Sequence, residues 1–244
     1  SKVYDTIPHQ KLLHKLQHTF NFDTNTTSFL TSYFTNRTQT LHIDHAISNP
    51  QLITDGIPQG STLSTTFFIL YINDIAKSLN HSNIYTYADD TTLIITAPTE
   101  TLLEKYSQDD LKQLISYLHK NNLVPNQTKT TYTTFYPQTH PDIKLSFNNT
   151  PLKQEATTKL LGTLIQNTLR FDQNATNTIN KLQPHIHTFK HINKILPTTT
   201  MKQLYYSYIY PHLIYTLPIW GTEQTHKTYM QSLHRTHKKI IRLI

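Results

Sequence analysis

The chain has 244 residues, is 36% hydrophobic and 15% charged, and contains no cysteine. A chain of this length can bury a sizeable core, and the lack of cysteine excludes disulfides and thiolate metal sites. The formal net charge of +7 weakly favours a polyanionic partner. No apolar run approaches the ~18–20 residues of a membrane span, and no secretory or transit segment opens the chain. We therefore expect an intracellular protein that is not secreted and has no membrane partner.

The first 54 residues predict two helices followed by two short strands. Residues 8–20 carry apolar side chains at helical spacing, namely Leu12, Leu13, Leu16 and Phe20. A second helix is expected over 25–36, with four side chains turned inward: Phe29, Leu30, Tyr33 and Phe34. The runs 38–43 and 51–54 are typical of strands.

The middle of the chain predicts a mixed α/β pattern. A turn at 56–61 leads into a helix over 62–78, and β-rich runs at 83–88 and 92–96 flank Asp89-Asp90, which predicts a hairpin with two acids at its tip. A further helix is expected over 98–121. Strands are then predicted at 130–136 and 143–147, with a turn at Asn148-Asn149, and at 159–165, interrupted by Gly162.

From about residue 172 the pattern is helical, with predicted helices at 174–195, 199–216 and 225–244. The chain has only four glycines, at Gly56, Gly60, Gly162 and Gly221. Glycine is hardest to replace where φ is positive or where another backbone comes close. These four positions therefore mark candidate turns and close approaches.

The adjacent carboxylates of Asp89 and Asp90 suggest a metal site. Like charges this close repel unless a cation neutralises them, and Mg²⁺ is often held by one or two carboxylates together with substrate phosphates. The alternative is an ordinary solvent-exposed turn, because Asp is common in turns. The residues around the pair decide between these two interpretations.

Those residues resemble the motifs of reverse transcriptases, in the form found in jockey-like non-LTR retrotransposons. The catalytic box of that family is similar to Tyr87-Ala88-Asp89-Asp90. Its preceding turn and helix resemble Gly56-Ile57-Pro58-Gln59-Gly60-Ser61 and the segment 68–74. Residues 1–9 look like the tail of its first metal-binding motif. The later motifs resemble Asn126-x-x-Lys129-Thr130, Leu160-Leu161-Gly162 and the tyrosine-rich segment 204–221.

The resemblance covers nearly the whole chain and implies the fold of a right-hand polymerase. This is an α/β (α+β) architecture, with a palm built on an antiparallel sheet backed by helices and then a small helical thumb. The implied domains are an incomplete palm over 1–156 without fingers, a primer-grip hairpin over 157–172, and the thumb over 173–244. The acidic hairpin would lie at the centre of the palm sheet.

The resemblance also implies roles for individual residues. Asp89 and Asp90 would be the catalytic carboxylates and would ligate Mg²⁺ or Mn²⁺. Substrate binding would involve Tyr4 as the aromatic gate against a ribose 2′-OH, Lys129 facing the triphosphate, and five motif residues, namely Gly56, Pro58, Gln59, Gly60 and Tyr87. Leu161 and Gly162 would grip the primer. Apart from the resemblance, the cluster of Tyr205, Tyr206, Tyr208, Tyr210 and Tyr215 is expected to pack in the core rather than to stack on bases.

The implied activity is RNA-directed DNA synthesis by two-metal nucleotidyl transfer to a primer 3′-OH. The partners would be an RNA template with a DNA primer and deoxynucleoside triphosphates, in the cytoplasm and nucleus. The family's first motif supplies a further metal-binding aspartate, whose position by alignment precedes Ser1. We therefore expect an N-terminally truncated fragment that lacks the fingers and an endonuclease domain and is inactive alone.

Two alternatives remain open from the sequence. The first is a catalytically dead, nucleic-acid-binding remnant of such an element. The second is another right-hand polymerase, either an RNA-templated RNA polymerase or an intron maturase. The tyrosine in Tyr87-Ala88-Asp89-Asp90 argues against the RNA polymerase, and the tyrosine-rich segment that ends at Trp220-Gly221 argues against the maturase.

Overall fold

The computed structural model describes residues 3–58, 60–135, 143–223 and 225–244. The chain divides into two compact units. The first comprises Ser1–Thr130 with Ile143–Leu152, and the second comprises Thr131–Asp142 with Lys153–Ile244. Helices and strands occur in both, as expected for an α+β fold. No helix of the described residues is long and apolar enough to cross a membrane.

Within the described residues, the first unit has four α-helices, and most of its core residues lie on them. They are α1 (His9–His18), α2 (Thr24–Phe34), α3 (Thr62–Ile72) and α4 (Glu100–Lys120), with 3₁₀ turns at Val3–Asp5, Asn73–Ser78 and Gln127–Lys129. Leu12 and Leu16 are fully buried one turn apart on α1, as the helical stripe predicts. They pack with Leu30, Phe34 and residues of α3 in one apolar cluster.

The strands of the first unit form hairpins and short pairs. They are β1 (Thr38–Gln39), β2 (His42–Ile43), β3 (Ala46–Ile47), β4 (Gln51–Leu52), β5 (Ser82–Tyr87), β6 (Asp90–Ile95), β8 (Ser146–Phe147) and β9 (Thr150–Pro151). β1 pairs with β4, β2 with β3, β5 with β6, and β8 with β9, all antiparallel. The predicted turn between β8 and β9 is confirmed, with φ values of 46° at Asn148 and 65° at Asn149.

A polar cluster ties α1 and α4 to the 3₁₀ turn after α3. The Lys15 ammonium donates to the carboxylate of Asp74 at 2.8 Å and to the Tyr117 hydroxyl at 3.1 Å. The Tyr117 hydroxyl also donates to Asp74. Burial opposes ionisation of Asp74, but the hydrogen bonds from Lys15 and Tyr117 outweigh it and hold the pKa of this carboxyl below its ordinary value.

The second unit is mainly helical. Its helices are α5 (Asp172–Ile192), α6 (Thr198–Leu204), α7 (Tyr210–Ile214), α8 (Leu217–Trp220) and α9 (Lys227–Ile241), and a π-helical turn at Tyr205–Ile209 joins α6 to α7. Its strands are β7 (Thr131–Tyr132), β10 (Lys153–Gln154), β11 (Thr157–Leu160) and β12 (Thr163–Gln166). β7 pairs with β10 in parallel, and β11 pairs with β12 antiparallel. Leu182, Ile209 and Ile240 are fully buried or nearly so in an apolar core built from the helices.

The structure corrects several of the expectations. Phe29 is 65% exposed rather than inward, because the buried stripe of α2 passes through Leu30 and Phe34, four residues apart. The residue pattern predicts one interrupted strand at 159–165, but the structure has a hairpin there, because Leu161 and Gly162 both have positive φ and reverse the chain. The family resemblance, unlike the residue pattern, also implies a hairpin in this segment. The strands of the described residues form six separate two-stranded sheets, one of them parallel, rather than one antiparallel sheet.

The tyrosine cluster is a further correction. Tyr206, Tyr208, Tyr210 and Tyr215 are 62%, 58%, 40% and 54% exposed, so the expectation that they pack in the core is wrong for these four. Tyr205 alone is half-buried, with its hydroxyl 2.7 Å from Nε2 of His237. The reason is local: Ile209 and Leu213 occupy the buried side of this segment and leave the tyrosine rings outside.

Candidate active site

The acidic pair lies on the β5–β6 hairpin, as predicted from the flanking strands. Tyr87 pairs with Asp90 at the end of the ladder, so Ala88 and Asp89 form the two-residue connection and Asp90 begins β6. Ala88 adopts a φ of 49°, in the left-handed region. Asp89, Asp90 and Tyr87 are all exposed. Both carboxylates are therefore open to solvent at the same end of the hairpin.

A buried carboxylate fixes the opposite end of this hairpin. Asp110 on α4 is fully buried and accepts hydrogen bonds from the backbone nitrogens of Asn80, His81 and Ser82 at 3.0, 2.9 and 2.7 Å. It also accepts a hydrogen bond from the Ser82 hydroxyl at 2.6 Å. The His81 ring stacks on Tyr106 of α4, with centroids 4.0 Å apart. The start of β5 is therefore attached to a rigid helix.

These hydrogen bonds determine the charge state of Asp110. Burial favours the neutral acid, but the donors from Ser82, Asn80 and His81 outweigh burial, so the pKa of Asp110 lies below its ordinary value. Asp110 is consequently ionised at neutral pH. A charged acceptor with four donors is a strong structural clamp, because hydrogen bonds to ionised groups are roughly twice as strong as neutral ones.

The N-terminal segment lies against the turn that precedes α3. The Gly56 nitrogen donates to the Ile7 carbonyl at 2.8 Å, and the Ile57 nitrogen donates to the Tyr4 carbonyl at 2.7 Å. The Gly56 carbonyl lies 2.7 Å from Nε2 of His9, which is buried. The structure thus brings together two of the sequence motifs, the first around Tyr4 and the second around Gly56.

Position 56 requires glycine for structural reasons. Its φ is 93°, and a Cβ at this position would lie 3.1 Å from the backbone of Asp5. The backbone that comes close to Gly56 is therefore the chain's own, at Asp5. Gly60, with a φ of 84°, differs because a Cβ there would meet nothing within 4 Å.

The rest of this turn is held by the first residues of α3. The Pro58 carbonyl accepts hydrogen bonds from the Ser61 nitrogen at 3.3 Å and from the Ser64 hydroxyl. The Ser61 hydroxyl caps α3 and accepts a hydrogen bond from the Tyr33 hydroxyl at 3.1 Å. Gln59, the predicted contact to template or nucleotide, lies outside the described residues.

Tyr4 and Lys129 occupy different environments. The Tyr4 ring is half-buried and packs on Phe68, with centroids 5.0 Å apart. Lys129 is exposed at the end of a 3₁₀ turn, and its backbone nitrogen donates to the Asn126 side chain at 3.2 Å. The Asn126-x-x-Lys129 spacing thus forms a capped turn that presents the lysine to solvent. The roles of both residues in substrate binding stay predictions.

Within the second unit, Leu161 and Gly162 form the turn of the β11–β12 hairpin, with φ values of 46° and 87°. The Tyr215 hydroxyl donates to the Leu161 carbonyl at 2.5 Å. A Cβ on Gly162 would lie 3.1 Å from the Tyr215 ring. The turn is therefore fastened to the segment between α7 and α8, and its role as a primer grip stays a prediction.

Asp89 and Asp90 supply the oxygen ligands that Mg²⁺ and Mn²⁺ prefer. Within the ranges that the structure describes, no group of three or more histidine, aspartate or glutamate residues is placed to hold a metal ion. Two carboxylates fit a metal that takes its remaining ligands from substrate phosphates and water. Asp89 and Asp90 could therefore contribute two ligands to such a metal, but within the described residues they do not form a closed structural site.

Two residues that shape these sites are not apparent as such from the sequence. Asp110 gave no signal, because an isolated aspartate on a helix is normally solvated. Tyr215 was part of a recognised motif, but its tyrosines were interpreted as core residues. Its observed contacts are with the Leu161–Gly162 turn.

Comparison with known proteins adds independent information. A family model described as reverse transcriptase (RNA-dependent DNA polymerase) matches residues 1–165. The chain is 23% identical over 224 residues to the probable RNA-directed DNA polymerase from transposon X-element of Drosophila melanogaster, covering 88% of this chain and 24% of that protein. It is 22% identical over 255 residues to the RNA-directed DNA polymerase from mobile element jockey of the same organism, covering 100% and 27%. The chain thus spans about a quarter of the length of these curated relatives.

Proposed function

The chain belongs to the reverse transcriptase (RNA-dependent DNA polymerase) family, and from this premise we propose that it is part of the RNA-directed DNA polymerase of a non-LTR mobile element. The observation that carries the proposal is the exposed Asp89 and Asp90 pair on the β5–β6 hairpin, in the segment that the family model matches. The names of the two curated relatives support the same activity.

In the proposed reaction, a primer 3′-OH attacks the α-phosphate of a deoxynucleoside triphosphate, with an RNA strand as template. The new phosphodiester bond forms as the bond between the α- and β-phosphates breaks, pyrophosphate leaves, and the hydroxyl proton passes to solvent. Asp89 and Asp90 would hold Mg²⁺ or Mn²⁺, which would lower the pKa of the attacking hydroxyl and stabilise the leaving oxygen. The carboxylates contribute fixed negative charge at a solvent-open edge. The buried Asp110 contributes indirectly by fixing the start of β5.

The remaining residues have proposed roles around this centre. Tyr4, supported by Phe68, would be the gate against a ribose 2′-OH. Gly60, Pro58 and Gln59 would lie beside the nascent base pair, and Gly56 would fix that turn against the N-terminal segment. Tyr87 would flank the metal site, Lys129 would neutralise triphosphate charge, and Leu161 with Gly162 would grip the primer.

By the family resemblance, a further carboxylate joins Asp89 and Asp90 in binding metal. We therefore propose that the 244-residue chain alone does not extend primers measurably, and that a longer polymerase that includes this further carboxylate extends them. The test is primer extension by the longer polymerase with Asp89→Asn. The matched control is Asp44→Asn, which changes another exposed hairpin-turn aspartate, with a φ of 50° that asparagine tolerates. Absence of extension by the parent protein would favour the catalytically dead remnant, and unchanged extension by Asp89→Asn would contradict the proposed role of Asp89.

A further inference from the structure

A small cavity lies beside the Leu161–Gly162 turn in the second unit. Its volume is about 190 Å³, and its walls come from the hairpin turn, α5 and the α7–α8 segment. That volume is several times the ~30 Å³ that one water occupies in the liquid. It is large enough for a small polyatomic ion with part of its hydration shell.

The residues that line the cavity include a lysine and a histidine. Lys181 of α5 and His212 of α7 both line it, and the His185 ring stacks near His212 with centroids 6.3 Å apart. Among the described residues that line it, none is acidic. Partial burial, followed by the charges of Lys181 and His185, lowers the pKa of His212 below its ordinary value. At neutral pH His212 is therefore mainly neutral, and an anion bound in the cavity would offset the charge of Lys181 and favour protonation of His212.

The cavity also contains neutral hydrogen-bonding groups. Asn177 and Thr178, which are adjacent residues of α5, both line it, and Thr178 is buried. An amide and a hydroxyl can donate to oxygen atoms, as can the lysine and a protonated imidazole. This combination of cationic and neutral donors suits an oxyanion better than a simple halide.

The walls of the cavity are held in place by the surrounding structure. The Tyr215 hydroxyl donates to the Leu161 carbonyl, and the Tyr215 carbonyl accepts a hydrogen bond from the indole nitrogen of Trp220 at 3.0 Å. The Thr163 hydroxyl donates to the Thr216 hydroxyl at 2.8 Å. A site whose walls are already fixed loses little conformational entropy when a ligand binds.

We propose that this cavity is a phosphate-binding site, in which Lys181 and His212 hold one phosphate group next to the β11–β12 turn. The inference rests on the proposed function in one respect: a nucleic-acid strand would be the source of the phosphate in a polymerase. Free phosphate or pyrophosphate offers the same chemistry. The site adds two specific residues to the predicted primer grip, which the sequence assigned only to Leu161 and Gly162.

The single tryptophan of the chain provides a direct reporter. Trp220 lines the cavity and is 2% exposed, so its indole N–H gives one resolved signal in a ¹H–¹⁵N spectrum of the 244-residue chain. Titration with inorganic phosphate should shift this signal saturably. Sodium chloride at matched ionic strength should not. Absence of a saturable shift, or an equal shift with chloride, would overturn the proposal.

Two variants and one control locate the site. Lys181→Gln and His212→Gln should each weaken phosphate binding about tenfold, the effect of losing roughly one charge-assisted hydrogen bond. Both side chains are exposed, so the fold should be retained. Lys227→Gln removes an exposed positive charge that does not line the cavity, and it should bind phosphate as the parent chain does. Unchanged affinity in Lys181→Gln would contradict the proposal.

A competition experiment identifies the source of the phosphate. A primer–template duplex that displaces inorganic phosphate from the parent chain, but binds Lys181→Gln more weakly, supports a strand contact. Displacement by pyrophosphate and not by duplex supports a free ligand at the same site. Neither result depends on catalysis, so failure of the phosphate site and failure of the proposed polymerase activity can be told apart.

Discussion

The carboxylate of Asp110 on α4 accepts hydrogen bonds from both the backbone nitrogen and the hydroxyl of Ser82, the first residue of β5. This contact attaches the hairpin that carries Asp89 and Asp90 to the longest helix of the first unit. The two residues are 28 positions apart in the chain. The hairpin, which carries the acidic residues at its exposed end, is thereby anchored at its other end.

Replacing Asp110 should destabilise the first unit. Asp110→Asn removes the charge and places an amide donor near three backbone donors, so we expect a loss of about 3 kcal/mol in the free energy of unfolding. Urea denaturation of the 244-residue chain measures it. Asp109→Asn, one residue earlier on the same helix, should change stability by about 0.5 kcal/mol or less. Equal losses in the two variants would show that the Ser82 contact has no special role.

Stability should also fall in acid. The pKa values of Asp110 and Asp74 are lower in the folded chain than the ~3.9 of an unfolded aspartate. Their contribution to stability is therefore complete above the unfolded pKa and is lost as the pH falls through the folded values. Unfolding free energies measured from about pH 6 down to about pH 2 should decrease below about pH 4. The decrease should be smaller in Asp110→Asn, and an identical pH profile would argue against an ionised Asp110.

Substitution by alanine should destabilise the chain by different amounts at the two turn glycines, Gly162 and Gly60. Both have positive φ, so each substitution should cost about 1–2 kcal/mol in backbone strain. Gly162→Ala also places a Cβ 3.1 Å from the Tyr215 ring, whereas Gly60→Ala meets nothing within 4 Å. Thermal unfolding should show the larger loss for Gly162→Ala. Equal losses would mean that the Tyr215 ring moves aside at no cost.

The exposed tyrosines should contribute little to stability. Tyr206 is 62% exposed and Ile209 is fully buried in the same π-helical turn. We expect Ile209→Ala to lose about 2–5 kcal/mol by opening a cavity and Tyr206→Ala to lose about 0.5 kcal/mol or less. Denaturant midpoints of the two variants measure the difference. A loss above about 2 kcal/mol in Tyr206→Ala would restore the original expectation that this ring packs in the core.

Local patterns were sufficient to predict most elements. The stripe of Leu12 and Leu16 predicted α1, and the β-rich runs on either side of Asp89-Asp90 predicted the β5–β6 hairpin. The need for glycine at position 56 also followed from its chemistry, because its φ is positive and the Asp5 backbone lies against it.

Features that depend on distant partners were not predictable in the same way. The donors of Asp110 come from residues about thirty positions away, so the sequence around Asp110 contains no sign of them. Leu161 adopts a positive φ that leucine rarely takes, so the residue pattern alone predicts a strand where the family resemblance implies a hairpin. Phe29 immediately precedes Leu30 of the buried stripe of α2. Successive residues of a helix are rotated by about 100°, and this rotation turns the Phe29 side chain to solvent.

The central claim is that Asp89 belongs to a metal-dependent polymerase centre. The most direct measurement is primer extension on an RNA template by the longer polymerase, with Mg²⁺ and with Mn²⁺, for the parent protein, Asp89→Asn and Asp44→Asn. Loss of a ligand that stabilises the transition state by several kcal/mol should lower the rate about a thousandfold in Asp89→Asn, with Asp44→Asn unchanged. Extension by Asp89→Asn at the parent rate would contradict the claim.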